Sequence, residues 1–226
     1  MSDYMKKKVR IAGFLFLSFN IIVGLIYWGI IDEYTAQILT FAGINVIIAL
    51  SLNLISGFTG QLALGHAGFM AIGAYSTAAL VMQLQVPNLS AILVGGVVTA
   101  IFGFVIGFPT LRLKGDYLAI VTLGFGEIIR VLMINAEKIT GGAAGLKGIP
   151  SFTKNISLNP VLSFIWVFLF MAGTIILISN LIRSSHGRAI ISIREDEIAS
   201  NAMGVNVFYY KMFSFTLTFK FLIFMV

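Results

Sequence analysis

The chain has 226 residues, of which 58% are hydrophobic and only 11% charged, and its mean hydropathy is +0.99. A soluble domain carries roughly a quarter charged residues, so this composition excludes a soluble globular fold and points to a polytopic membrane protein. The net charge of +6 reads as positive-inside anchoring rather than nucleic-acid binding, and the absence of cysteine excludes disulfides and thiolate metal sites.

About 20 mostly apolar residues cross the hydrocarbon core as a helix. By that measure spans are predicted over 11–31, 36–56, 62–83, 89–109, 117–135, 160–183 and 207–226. The first follows a basic stretch, as in a signal peptide, but it runs for about 20 residues and lacks an Ala-x-Ala-like cleavage site, so it reads as a span. The connectors alternate in charge. Lys6, Lys7, Lys8 and Arg10 precede the first span, Arg112 and Lys114 follow the fourth, and Arg183, Arg188 and Arg194 follow the sixth. The opposite side holds Lys138, Lys147 and Lys154, with Asp32 and Glu33. Nine basic residues against three place the N-terminus in the cytoplasm. Seven spans would then leave the C-terminus outside, unless the region from 57 to 75 dips in without crossing.

Residues 50–79 are apolar enough for membrane depth, yet Gly57, Gly60, Gly65, Gly68 and Gly73 interrupt them and they carry Asn53, Gln61 and His66. Lipid offers no hydrogen-bond partners, so such a segment is buried in protein or lines a wet cavity, as the broken helices of transporters do. His66 is either a pathway residue or a packing histidine bonded to a nearby carbonyl. With one other histidine in the chain, His186 on a cytoplasmic loop, a metal site is not expected.

In the fifth span Glu127 and Arg130 lie one turn apart on one face. Each charge costs about 3 kcal/mol at mid-bilayer on insertion scales, and the i,i+3 spacing lets the two pair. Two readings remain open: a self-neutralised structural pair, or Glu127 facing a translocation route near its external end, with Thr140, Gly141 and Gly142 of the 135–159 loop at the same mouth. On the internal side, 184–206 reads as one short helix. Ser184 or Ser185 caps it, Gly204 stops it, and Ile191, Ile198, Ala202 and Val205 form its apolar stripe. No Gly-x-x-x-x-Gly-Lys-Ser/Thr occurs, because Gly145-Leu146-Lys147-Gly148 lacks that spacing, so the chain has no P-loop. No Ser/His/acid or metal constellation suggests catalysis, and no cofactor is expected.

The run Gly-Gln-Leu-Ala-Leu-Gly-His-Ala-Gly-Phe-Met-Ala-Ile-Gly-Ala-Tyr at 60–75 closely resembles the membrane permease subunits of bacterial ABC importers for branched-chain amino acids. Residues 109–124 (Pro-Thr-Leu-Arg-Leu-Lys-Gly-Asp-Tyr-Leu-Ala-Ile-Val-Thr-Leu-Gly), Leu-Gly-Phe-Gly-Glu-Ile-Ile-Arg at 123–130 and Thr-Gly-Gly-Ala-Ala-Gly-Leu-Lys-Gly-Ile-Pro at 140–150 are similar to the same family, and together they favour its M-type subunit over the H-type. The resemblance implies an all-α polytopic membrane helical bundle with a broken, glycine-rich helix and a cytoplasmic coupling helix. It implies a heterodimer with a second homologous permease subunit, two cytoplasmic ATP-binding subunits, and an extracytoplasmic substrate-binding protein delivering leucine, isoleucine or valine, all at the bacterial inner membrane.

Arg188, Arg194, Glu195, Asp196, Glu197, Ala199 and Gly204 would then engage the ATPases. This loop departs from the general Glu-Ala-Ala, three residues, Gly pattern: Glu197 to Gly204 is one residue too long, and Ile198-Ala199-Ser200 replaces the triplet. The urea or amide importers of the same superfamily, and a stand-alone secondary transporter using Glu127 or His66, are the alternatives. The whole chain is expected to be a single permease domain. From about residue 218, where Thr218-Phe219-Lys220-Phe221 stands in place of an Ala/Gly-rich helix, the expectation is a truncated or frameshifted tail.

Overall fold

Apolar runs of this length, punctuated by glycine, proline and charge, fold as the helices that their hydropathy predicts. The computed structural model describes residues 19–113, 115–150 and 159–221. The basic cluster Lys6, Lys7, Lys8 and Arg10, the start of the first span, Lys114, Lys154 and the tail beyond 221 lie outside the described residues, as does the Lys220 side chain. The described chain is all-α: α1 (19–27), α2 (Glu33–Leu52), a π-helical turn (Asn53–Phe58), α3 (His66–Leu84), α4 (Asn88–Thr110), α5 (Asp116–Asn135), α6 (Glu137–Thr140), a 3-10 turn (Gly142–Ala144), α7 (Asn159–Arg183), α8 (Ser185–Glu195), α9 (Glu197–Ala202) and α10 (Val207–Phe221).

Five helical segments, Glu33–Phe58, His66–Leu84, Asn88–Thr110, Asp116–Asn135 and Pro160–Arg183, are long and apolar enough to cross a membrane. They coincide with the second to sixth predicted spans. The third starts four residues later than expected, because 60–65 is not helical. Local chemistry sets the breaks. Gln85 closes α3 in the left-handed conformation (φ 51), its amide donating to the Leu80 carbonyl, and Pro87 then precedes α4. Gly115 (φ 58) turns the chain into α5.

Two compact units emerge. In the first, formed by residues up to Gly43 and by Ser151–Leu169, Ile26, Ala36, Val161 and Phe164 make a small core, and Phe19 stacks on Phe168 with centroids 4.2 Å apart. In the second, formed by Ile44–Pro150 and Phe170 onward, α3 packs on α4 and α5, and α10 packs on α4. Small residues allow these close approaches, as expected of membrane helices. A Cβ on Gly95 of α4 would fall 2.1 Å from the Thr77 hydroxyl of α3, and one on Gly107 would fall 2.8 Å from the Phe215 ring of α10. Phe69 and Phe215, both fully buried, meet edge to face at the centre of this unit.

Candidate functional site

The broken segment comes first. The last turn of the Glu33–Phe58 segment widens into the π-turn, a distortion frequent at functional sites. The Thr59 hydroxyl donates to the Leu54 carbonyl and the Gln61 amide N–H to the Ile55 carbonyl, closing the turn. Beyond it the chain runs without helix to Gly65, with burial alternating residue by residue: Thr59, Gln61, Ala63 and Gly65 are buried, while Gly60, Leu62 and Leu64 are exposed. Asn53 is exposed, with its side chain laid over Gly57, where a Cβ would collide with Oδ1. Gln61 is buried, and its side-chain amide has no hydrogen-bond partner among the described residues. Such an orphaned group costs about 1–3 kcal/mol. His66 opens α3, half-buried and interacting with the Ala63 backbone.

This non-helical stretch is stitched to α5. The Leu64 amide donates to the Thr122 hydroxyl at 3.0 Å, and Gly65 and Gly68 face Thr122 and Gly126 so closely that a Cβ on either would meet α5 backbone at 2.6 and 2.8 Å. Between α3 and α5 a groove of about 350 Å³ opens, lined by Leu64, Ala67, Ala71, Tyr75, Glu127 and Arg130 among others. Glu127 Oε2 accepts from Arg130 Nε at 2.8 Å, the i,i+3 pair that the spacing predicted, and both side chains stay more than half exposed.

Thr140 stands apart from that groove. Its buried hydroxyl donates to the carbonyls of Met133 and Ala136 and accepts from the Gly142 amide, so it staples α6 onto the end of α5. It borders a separate apolar cavity with Ile72, Phe125 and Ile129. Gly141 and Gly142, both at positive φ, make the turn after it. Glu127 and Thr140 line two different cavities, the first between α3 and α5 and the second against Ile72, Phe125 and Ile129.

The 184–206 loop is two helices, not one. Asp196 adopts extended backbone (φ −154, ψ 111) and caps α9 by accepting from the Ile198 and Ala199 amides, which ends α8 at Glu195. Ser184 caps α8 by accepting from the Gly187 amide, and Gly204 (φ 84) ends the motif, as the sequence predicts. The break also changes the buried face. Gly187, Ile190, Ile193 and Ser200 turn inward, whereas Ile198 and Met203 are 81% and 85% exposed.

Arg194 reaches out of α8: Nη1 donates to the Gly57 carbonyl at 2.9 Å, its stem covers Gly60, and Nη2 pairs with Glu195. Glu197 pairs with the largely buried Lys211 of α10 at 2.7 Å, beside a cavity of about 630 Å³ bordered by Arg112, Asn201 and Asn206. Arg188 is exposed, and so is Ala199. The sequence reading missed Lys211, Thr122 and Gly126. Their partners lie 14 to 58 residues away, beyond any helical or strand period.

Comparison with known proteins agrees with this architecture. Residues 34–218 match the family described as "Branched-chain amino acid transport system / permease component". The chain is 34% and 35% identical, over 90% of its length, to the high-affinity branched-chain amino acid transport system permease proteins LivM of Salmonella typhimurium and Escherichia coli. It is 26% identical over 77% of its length to a probable LivM permease of Methanocaldococcus jannaschii. It spans 54% of each of the first two relatives and 61% of the third. No solved structure matches. With the match extending from the start of the broken span through the two-helix loop to α10, the chain belongs to the permease components of branched-chain amino acid transport systems.

Proposed function

We propose that this chain forms half of the translocation pathway of an ATP-driven importer for branched-chain amino acids at the bacterial inner membrane. It works with a second homologous permease subunit, two cytoplasmic ATP-binding subunits and an extracytoplasmic binding protein. The family match over 34–218 supports the class, and the M-type motifs support the assignment to that subunit.

One observation carries the mechanism: the Arg194 guanidinium holds the Gly57 carbonyl at the broken end of a membrane segment. In this reading α9 offers Ile198 and Met203 to an ATPase groove, while the charges of Arg188, Glu195, Asp196 and Glu197 set its register. Closure of the ATPases shifts α8, and Arg194 carries the shift to the π-turn. A π-turn is a fit receiver, because such single-turn departures from α geometry are frequent at functional sites. Asn53, Gln61 and His66 lie on the segment that would then move, and the orphaned Gln61 amide would gain a partner in another state.

The test uses the complete transporter in proteoliposomes, with Arg194→Met and Arg194→Lys. Met should leave assembly and ATP hydrolysis in place while ATP-driven leucine uptake falls, and Lys should restore part of it. Uptake and hydrolysis unchanged in both variants would reject the linkage. Uptake by the chain without ATPases, driven by an ion gradient, would reject the importer.

A further inference from the structure

The Glu127–Arg130 pair is unusual for its setting. It sits in α5, a helix otherwise apolar enough to cross a membrane, yet 59% of the Glu127 side chain and 64% of the Arg130 side chain are exposed. Each charge turned toward hydrocarbon costs about 3 kcal/mol on insertion scales, so such groups face the bundle interior or water. Intrahelical pairing reduces that cost but leaves much unused. Glu127 Oε1 and the two Arg130 Nη nitrogens take no part in the 2.8 Å contact between Oε2 and Nε. The pair also opens into a groove rather than onto a flat face. Close approach at Gly68 and Gly126 brings α3 against α5, and Leu64, Ala67, Ala71 and Met133 form apolar walls beside the charges. About 350 Å³ falls in the range of small-molecule sites.

We propose that this groove is a transient binding site for an α-amino acid zwitterion on its way through the membrane. The ligand's ammonium docks on Glu127 Oε1, its carboxylate on the Arg130 Nη nitrogens, and its aliphatic side chain lies against Leu64, Ala71 and Met133. The proposal rests on the permease reading above and assigns the substrate chemistry of its pathway.

Charge balance favours this ligand. The pair is neutral and so is the zwitterion, and docking makes the four charges alternate in sign, so no uncompensated charge enters the bilayer. Guanidinium and carboxylate are matched for two-point hydrogen bonding. An amino acid with a charged side chain would bring an unpaired ion against apolar walls. Urea, which carries neither charge, would gain hydrogen bonds from the pair but no ion pairing.

The test is radiolabelled L-leucine uptake by the complete transporter in proteoliposomes with its binding protein. Glu127→Gln with Arg130→Met removes both charges together and leaves neither one uncompensated. The expected result is an assembled complex that keeps binding-protein-stimulated ATP hydrolysis and loses uptake by about tenfold or more, the scale of one charged hydrogen bond. Uptake unchanged in that variant overturns the site and reduces the pair to self-neutralisation. Ala67→Phe, at an exposed position on the groove wall, fills the space without touching the charges. It should stop uptake in an assembled complex. Normal uptake overturns the proposal, and so does loss of the partner permease on purification, which would make the groove a subunit interface. A wild-type complex that moves no leucine with ATP, or moves urea in preference, refutes the permease reading itself. A leucine-transporting wild type with an unaffected double variant refutes the site alone.

Discussion

Substituting Gly65 by alanine tests whether the broken segment is held where the structure puts it. A Cβ at this position would lie 2.6 Å from the Thr122 carbonyl oxygen, against 3.4 Å or more for ordinary contact, so one backbone must retreat from another by at least about 0.8 Å. The residue before it is pinned, because the Leu64 amide donates to the Thr122 hydroxyl at 3.0 Å. Retreat stretches that bond past useful length, at about 1 kcal/mol. Overpacking a well-filled contact adds about 1–3 kcal/mol. The expected loss is therefore about 2–4 kcal/mol. Gly65 caps α3 from outside the helix, so alanine brings little helix propensity in return. Gly124, in the middle of α5 with nothing within 4 Å, is the control: alanine there should be neutral or stabilise by up to about 1 kcal/mol. Both variants, purified in detergent, would be heated and scored by the monodisperse fraction in size-exclusion chromatography. Equal thermal midpoints for Gly65→Ala and the wild type would refute the contact between the non-helical stretch and α5.

The topology predicts that a cysteine at Lys147, exposed on the 135–159 loop, labels with an impermeant thiol reagent in intact cells, while one at Ser185 labels only after lysis; the reverse pattern would invert the sidedness and remove the docking role of 184–206. Asp196→Ala removes the cap that starts α9 and should cost about 1 kcal/mol of local stability, read as faster amide exchange at Ile198 and Ala199 with α3 and α4 unchanged. Arg188→Glu or Gly204→Trp should abolish stimulation of the partner ATPases while membrane insertion stays intact, and normal stimulation would leave α8 and α9 as an interfacial anchor only.

Much was legible from sequence because the bilayer is a simple solvent. It demands apolar runs of a fixed length, so hydropathy located the second to sixth spans to within a few residues. The same solvent penalises broken backbone and charge, which singled out the glycine-broken run within 50–79 and the Glu127–Arg130 pair. Helical spacing correctly paired those two residues, and capping chemistry offered Ser184 or Ser185 as the cap of the loop, of which the fold uses Ser184, and Gly204 as its end. What remained illegible was long-range. The alternating burial of 59–65 against α5, the Arg194 contact with Gly57 and the Glu197–Lys211 pair arise between residues far apart in the chain, which no period announces. Local signals also misled where two competed. Asp196 was read as part of a polar helix face, but its carboxylate satisfies two free amides better as a cap, and it splits the loop. Thr140, expected at the external mouth, has a hydroxyl that bonds the Met133 and Ala136 carbonyls at the end of α5, a role its spacing did not announce. These bonds are local, two to seven residues apart, and needed only the choice between competing local partners, whereas the Leu64–Thr122 and Arg194–Gly57 bonds join residues that only the tertiary fold brings near.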